Sequence, residues 1–488
     1  MKKVWKYITI SLLLLLGLCC VGVLYLFFVP NSSLFNITYI NHNISRESEK
    51  FNASNVSRIE LNSRAYEVNI LETEEDEIYV KTRGNSFGFV LKKNSNVNIT
   101  SKLESNILKF TVTEPYGFAA RNDSYINLYI PKNKSVDLHL QNKKAETIIN
   151  SNVTINNLKY TTQKGNFELK KGIINGNLTL NLEKSNFKIY EEAQTNFNNV
   201  TLNLTTGSFK AIKSSLGNVT ILSNSRGVID LNSCQTIMEN VPSAGGQIYA
   251  NTVEHINVTA GDTIVSINEI TNSASINLTK SGSVVINTLT GISNIATNSG
   301  NIKLRTTNSQ LTVQSESGNI TINTAYKTVA VKVGYGSANI NFADDAESYL
   351  INKFSRVLYA SIKNGNLTAS GVEHVGTPEE DTQTTIDGGV KITGNGKVSL
   401  YMNNVYGNNN IVGHNGNIYV VVEKSSIYKL KTSSTAGNVR VNLTQTPEYN
   451  GYTSRDLRIT YVNCSNSTHN LDISTNYGDL TVLDSNFG

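Results

Sequence analysis

The sequence predicts an all-β chain: a single-stranded β-helix, or solenoid, carried behind one N-terminal transmembrane helix. Three observations predict it. A tag of glycine, a small polar residue and alternating apolar and polar positions recurs, as in Gly165-Asn166-Phe167-Glu168-Leu169, Gly176-Asn177-Leu178-Thr179-Leu180 and Gly318-Asn319-Ile320-Thr321-Ile322. A tight turn followed by a half-buried strand, repeated many times, is the mark of a stacked β-repeat. Second, Gly282, Gly300, Gly318 and Gly336 fall 18 residues apart, and Gly396, Gly416 and Gly437 fall 20 and 21 apart, a spacing that suits one coil of two or three short strands. Third, hydrophobic residues make up 39% and charged residues only 17%, the deficit being filled by Asn, Ser and Thr. Asn favours turns over helices.

The elements follow in order. Residues 1–6 read as a cytoplasmic tail and residues 7–29 as an uncleaved transmembrane signal anchor, because Tyr7 to Val29 is free of charge. At about 1.5 Å per residue such a run reaches across a ~30 Å hydrocarbon layer. Lys2, Lys3 and Lys6 precede the run and no Lys or Arg follows until Arg46. Positive-inside bias then places the N-terminus in the cytoplasm and the bulk outside the cell or in a lumen, at the plasma membrane or an endomembrane, with the lipid bilayer as partner of residues 7–29. Residues 30–56 read as a polar stalk and 57–135 as an N-terminal β-strand region. Residues 136–488 read as solenoid repeats, with an irregular excursion about 343–392. There Asp344 to Leu350 suits a helical turn and Gly376 to Asp381 an exposed loop.

The tag has a physical reading. A coil must turn sharply, and glycine accepts the left-handed backbone of a tight corner. The turn glycines are Gly165, Gly176, Gly217, Gly282, Gly300, Gly318, Gly336, Gly396, Gly416 and Gly437. The apolar positions after each point inward, and the alternation fixes the register.

Asn-x-Ser/Thr sequons are abundant: Asn31, Asn36, Asn43, Asn52, Asn55, Asn98, Asn122, Asn133, Asn152, Asn177, Asn199, Asn203, Asn218, Asn257, Asn277, Asn319, Asn366, Asn442, Asn463 and Asn466. They are candidates for N-glycosylation. Much of the excess follows from composition alone.

Catalytic, cofactor and metal signatures are missing from the sequence. Net charge is +5, and no basic stripe with interleaved aromatics suggests nucleic acid. Cys19 and Cys20 lie in the apolar run, while Cys234 and Cys464 read as isolated thiols packed as small hydrophobes. The six histidines, His42, His139, His255, His374, His414 and His469, show no metal-ligand spacing. Glu74-Glu75-Asp76-Glu77 reads as a solvated hairpin turn, and Glu168, Asp230, Asp262, Asp472 and Asp479 fall on different coils.

The block Leu61-Asn62-Ser63-Arg64-Ala65-Tyr66-Glu67-Val68-Asn69-Ile70, the strand Ile126-Asn127-Leu128-Tyr129-Ile130-Pro131 and the glycine tags resemble the adhesin-like β-solenoid family of bacterial and some eukaryotic surface proteins, over roughly residues 57–488. The resemblance implies a β-helical, extracytoplasmic protein and brings no catalytic residues. The leading expectation is a membrane-anchored, glycosylated surface solenoid with an adhesive or structural role and no catalysis or cofactor. Its partners would be glycans or cell-wall or surface proteins. The alternatives are a carbohydrate-binding or carbohydrate-cleaving β-helix, and an accessory ectodomain scaffolding another membrane protein.

Overall fold

A computed structural model describes residues 2–28, 37–64, 67–91, 96–115, 121–343, 356–375, 389–444, 448–451, 457–462 and 467–486. The chain divides into two compact units, Met1–Thr195 and Asn196–Gly488. Apart from helix α1 (Lys2–Phe28) and one short 3-10 turn, the regular elements are strands.

The membrane expectations are corrected. Among the described residues no helix is long and apolar enough to cross a membrane. Three lysines lie in the first turn and a half of α1. A signal anchor at 7–29, a bilayer partner and a single-pass location with a cytoplasmic N-terminus are therefore not upheld.

In the first unit each coil lays its chain along two sides of the stack, either as two strands, Ser135–Lys144 and Glu146–Ile149, or as one long strand, Thr154–Leu169 or Ile173–Ile189. Strands stack in parallel because each circuit brings the chain back in the same direction, and period-two alternation puts every second side chain inside. One inward row runs Leu108, Ile59, Leu138, Leu158, Leu178, and the next runs Phe110, Leu61, Leu140, Tyr160, Leu180. None of these ten is more than 2% exposed. On the second side Phe167 and Phe187 stack with ring centroids 4.3 Å apart. The order of the coils is not the order of the chain: Arg58–Ser63 lies between Ile107–Thr113 and Ser135–Lys144. Antiparallel strands finish that end, Asn98–Glu104 on Ile107–Thr113 and Glu77–Leu91 on Arg121–Pro131. Residues 37–47, in the segment read as a stalk, form a strand along 81–91.

The second unit repeats the scheme. The register steps by 18 residues from Val284 to Ile302, to Ile320 and to Ala338. It lengthens to 29 residues at Leu367 and 31 at Val398. The intervening residues 344–355 and 376–388, with the helical turn and loop expected there, lie outside the described residues. Between them Leu358–Asn364 and Leu367–Val372 keep their places in the ladder. The closing coil is again out of order. Asn470–Tyr477 pairs on one side with Asn408–Asn415 and on the other with Lys429–Ser434. Leu480–Ser485 likewise sits between Ile418–Glu423 and Val439–Asn442. A hairpin of Glu448–Gly451 and Leu457–Val462 closes Lys429–Ser434 in antiparallel fashion.

One corner of this unit is a column of glycines. A Cβ on Gly300 would lie 1.7 Å from the Gly282 carbonyl oxygen, and one on Gly318 2.2 Å from that of Gly300. The column continues through Gly336, Gly365, Gly396, Gly416, Gly478 and Gly437, each against the carbonyl of the coil beside it. Closeness of backbone, more than a left-handed conformation, demands glycine here. Gly336 and Gly416 have positive φ (143° and 146°), whereas Gly300 and Gly318 do not. Inner hydroxyls cap the same oxygens, Thr297 at 3.0 Å and Ser315 at 3.2 Å from the Gly300 carbonyl.

Candidate functional site

Rows of polar side chains at the coil spacing, about 4.8 Å, are the most extensive chemical feature. The residue after each corner glycine explains the asparagine of the tag. Asn301 Oδ1 accepts the Asn319 backbone N–H at 2.9 Å, and Asn319 Oδ1 accepts that of Ser337 at 2.9 Å. Asn366 and Asn417 do the same for Lys397 and Asp479, both at 3.0 Å. A side-chain row joins Asn251, Asn268 and Asn287 at 3.1 and 3.0 Å. In the first unit Asn186 Nδ2 donates to Asn166 Oδ1 at 3.0 Å.

Sequence reasoning missed two corner glycines. Gly365-Asn366-Leu367-Thr368-Ala369 is a complete tag, hidden by its place in the stretch read as irregular. Gly478-Asp479-Leu480-Thr481-Val482 has aspartate for asparagine, and Asp479 Oδ1 still accepts the Asn438 backbone N–H at 2.9 Å. Of the predicted turn glycines, Gly165, Gly176, Gly336 and Gly416 adopt positive φ (114°, 97°, 143° and 146°). A Cβ on Gly217, Gly282, Gly396 or Gly437 would fall 1.8–2.4 Å from a neighbouring carbonyl oxygen.

The sequon side chains sit outward. Asn43, Asn52, Asn55, Asn98, Asn133, Asn152, Asn177, Asn199, Asn218, Asn257, Asn277, Asn319, Asn366 and Asn442 are exposed, and Asn203 is half-buried. The side chains of Asn31, Asn36, Asn122, Asn463 and Asn466 lie outside the described residues.

The scattered carboxylates stay apart. Glu168 meets Lys170 at 2.8 Å, Asp230 meets Lys210 at 2.6 Å, and Asp262 accepts the Ser281 hydroxyl at 2.7 Å. Among the described residues no group of three His, Cys, Asp or Glu side chains could hold a metal ion. Cys234 is buried in a core row between Leu216 and Val253, and burial pushes its thiol up to about 12. Glu239 occupies an inward position between Ile221 and Val258 with neither carboxyl oxygen hydrogen-bonded, and burial raises it to about 7.

A buried polar cluster in the second unit gathers Arg356, Glu373, His374 and Asn409. Arg356, 1% exposed, forms an ion pair with Glu373, and the Arg356 carbonyl accepts the Glu373 backbone N–H at 3.1 Å. His374 Nδ1 lies 2.5 Å from the Tyr406 carbonyl and must donate to it. Burial lowers the His374 pKa, so its ring is neutral near pH 7. Asn409 accepts the Val375 N–H at 2.6 Å and donates to the Tyr406 carbonyl at 2.7 Å and the Asn470 carbonyl at 3.1 Å. The carboxylate is held by the guanidinium and the imidazole proton by a carbonyl. The arrangement ties Arg356 and Glu373 to Val375 to the closing coil.

Residues 56–368, more than half of the chain, match the sequence profile of the Toastrack DUF4097 family. No curated protein matches the chain. Among solved structures, a candidate cell adhesion protein from Clostridium sporogenes shares 9% identity, covering 91% of this chain and 100% of its own, with a TM-score of 0.14. A candidate lipid binding protein from Parabacteroides distasonis shares 12% over 62% of this chain and 97% of its own, with a TM-score of 0.24. A candidate adhesin from Bacteroides fragilis shares 11% over 74% of this chain and 97% of its own, with a TM-score of 0.16.

Proposed function

We propose, from the premise that the chain belongs to the Toastrack DUF4097 family, that it is an adhesive or structural β-solenoid that binds through repeated rows of side chains. The observation that carries this reading is the Asn251, Asn268, Asn287 row, whose amides are held by one another at 3.1 and 3.0 Å and so keep a fixed pitch. A fixed pitch lets a repetitive partner, such as a polysaccharide or an extended surface protein, make the same weak contact several times, and linked contacts multiply. Prior ordering of the side chains lowers the entropy lost on binding. N-linked glycans on the exposed sequons belong to the same reading, and peptide mapping after enzymatic deglycosylation checks them.

The test is binding of the full chain to an array of glycans and wall polysaccharides, beside a triple variant carrying N251A, N268A and N287A. Retention of wild-type protein that the triple variant loses, with unchanged circular dichroism, supports the reading. Equal retention of both, or retention of neither, removes its basis.

A further inference from the structure

A second cluster on the second unit carries chemistry that rows of amides do not. His255 and Ser273 face each other across neighbouring parallel strands, Gln247–Ala260 and Ile264–Leu278. Ser273 Oγ lies 2.8 Å from His255 Nδ1, and the Asn272 carboxamide lies 3.0 Å from His255 Nε2. Asn272 and Ser273 can both reach one imidazole because the register shifts between Val253 and His255, giving the later strand one extra residue. Such bulges re-aim side chains. The Asn272 backbone is also pinned, since a Cβ on Gly291 would lie 1.0 Å from its carbonyl oxygen. Ser273 lines a groove of about 330 Å³ together with Ser293, Asn294, Gln310 and Thr312, a volume at the lower end of small-molecule sites.

A hydroxyl, an imidazole and a group that orients the imidazole, in hydrogen-bonded series at the edge of a groove, is the constellation of an activated nucleophile. The orienting group need not be a carboxylate, since an asparagine serves in some cysteine enzymes. With Asn272 Nδ2 toward the ring, Nε2 accepts and Nδ1–H donates to Ser273, which is the resting arrangement. Asn272 is exposed, and a half-turn of its carboxamide puts Oδ1 toward the ring. Nε2–H then donates to Asn272, and Nδ1 accepts the Ser273 hydroxyl proton.

We propose that Ser273 and His255, positioned by Asn272, form an acyl-transfer site that hydrolyses short-chain esters, such as O-acetyl groups on a carbohydrate, seated in the adjoining groove. Ser273 Oγ bonds to the ester carbonyl carbon while its proton passes to His255 Nδ1. The tetrahedral intermediate breaks the bond to the alcohol oxygen, which takes the proton from His255 and leaves. Water, deprotonated by His255, attacks the acyl-serine, and its proton returns to Ser273 as the carboxylic acid departs. Ester and water become acid and alcohol, with no other reactant. This activity is separate from the adhesive rows and does not need them.

The experiment uses the folded full chain. A fluorophosphonate probe, followed by peptide mass spectrometry, is expected to label Ser273, and p-nitrophenyl acetate to be hydrolysed. S273A should abolish the label and the turnover, and H255Q should lower turnover about 10²-fold. N272D is the diagnostic variant: its carboxylate can only accept from Nε2–H, so turnover should exceed that of the wild type, whereas a merely structural bridge predicts no gain. All variants should melt with the wild type, as the three side chains are exposed or half-buried. Absence of label on Ser273, or turnover that S273A leaves unchanged, overturns the proposal.

Discussion

Replacing Gly318 by alanine tests why the corner column is made of glycine. Gly318 has no positive φ, so a conformational account predicts a small cost. The packing account predicts a large one, because the new Cβ would sit 2.2 Å from the Gly300 carbonyl oxygen. Both atoms belong to backbone, and no rotamer relieves the contact. The coils would have to part by about 1 Å, enough to take the 3.0 Å bonds from Gly300 to Ser317 and from Ile302 to Asn319 out of range. Losing two or three such bonds in a buried ladder costs about 4 kcal/mol. The comparison is G413A, where the nearest atom to a Cβ is Ile418 Cδ1 at 3.1 Å, at the end of a flexible side chain. That variant should cost about 1 kcal/mol or less. Chemical denaturation read by circular dichroism measures both. Equal stability of G318A and wild type would refute the reasoning.

Glu239 should make stability fall as pH rises. Its folded value near 7 lies above its ordinary 4.5, so between those values the unfolded chain releases a proton that the folded chain keeps. The contribution is fully present below pH 4.5 and is lost by about 3 kcal/mol by pH 7, and E239Q should flatten that slope in urea titrations at pH 5 and 8. Removing one member of the Arg356–Glu373 pair should cost about 3–5 kcal/mol, because E373A leaves a buried guanidinium without its carboxylate counter-charge, while a double change to methionine should recover much of it. Truncation after Val462 removes Asn470–Tyr477 and Leu480–Ser485, and hydrogen exchange should then show protection lost from both flanking coils, 408–423 and 429–442. Retained protection at 429–442 would count against the intercalated order.

The repeat was legible because alternation and glycine spacing are local. The 18-residue step of Gly282, Gly300, Gly318 and Gly336 is the register step of the stack. That spacing also suits a coil of two or three short strands, as at Ser283–Leu289 and Ser293–Ser299, whereas the continuous strands Thr154–Leu169 and Ile173–Ile189 leave no distinct mark in the alternation. The order of coils was not legible. Nothing in Asn470–Tyr477 distinguishes a segment added at the end from one laid between earlier neighbours, because identical alternation fits both edges. The Ser273 cluster needed a bulge to bring its members together, and a bulge leaves no period behind. The anchor was read from the charge-free run 7–29 and the lysines before it, and the run is not upheld as a membrane span among the described residues. The sequence also could not show that Glu239 points inward, as alternation admits an acid at a core position without marking it.

The intercalated closing coil has a bearing on synthesis. Residues 429–442 leave the ribosome before 470–485, the strip on which they rest, has been made. Until the last few dozen residues arrive, that stretch has no lasting seat, and Leu430, fully buried in the finished fold, stays open to a chaperone or a protease. A prematurely terminated chain therefore displays its incompleteness, and the unit gains its final resistance to unravelling in one late step.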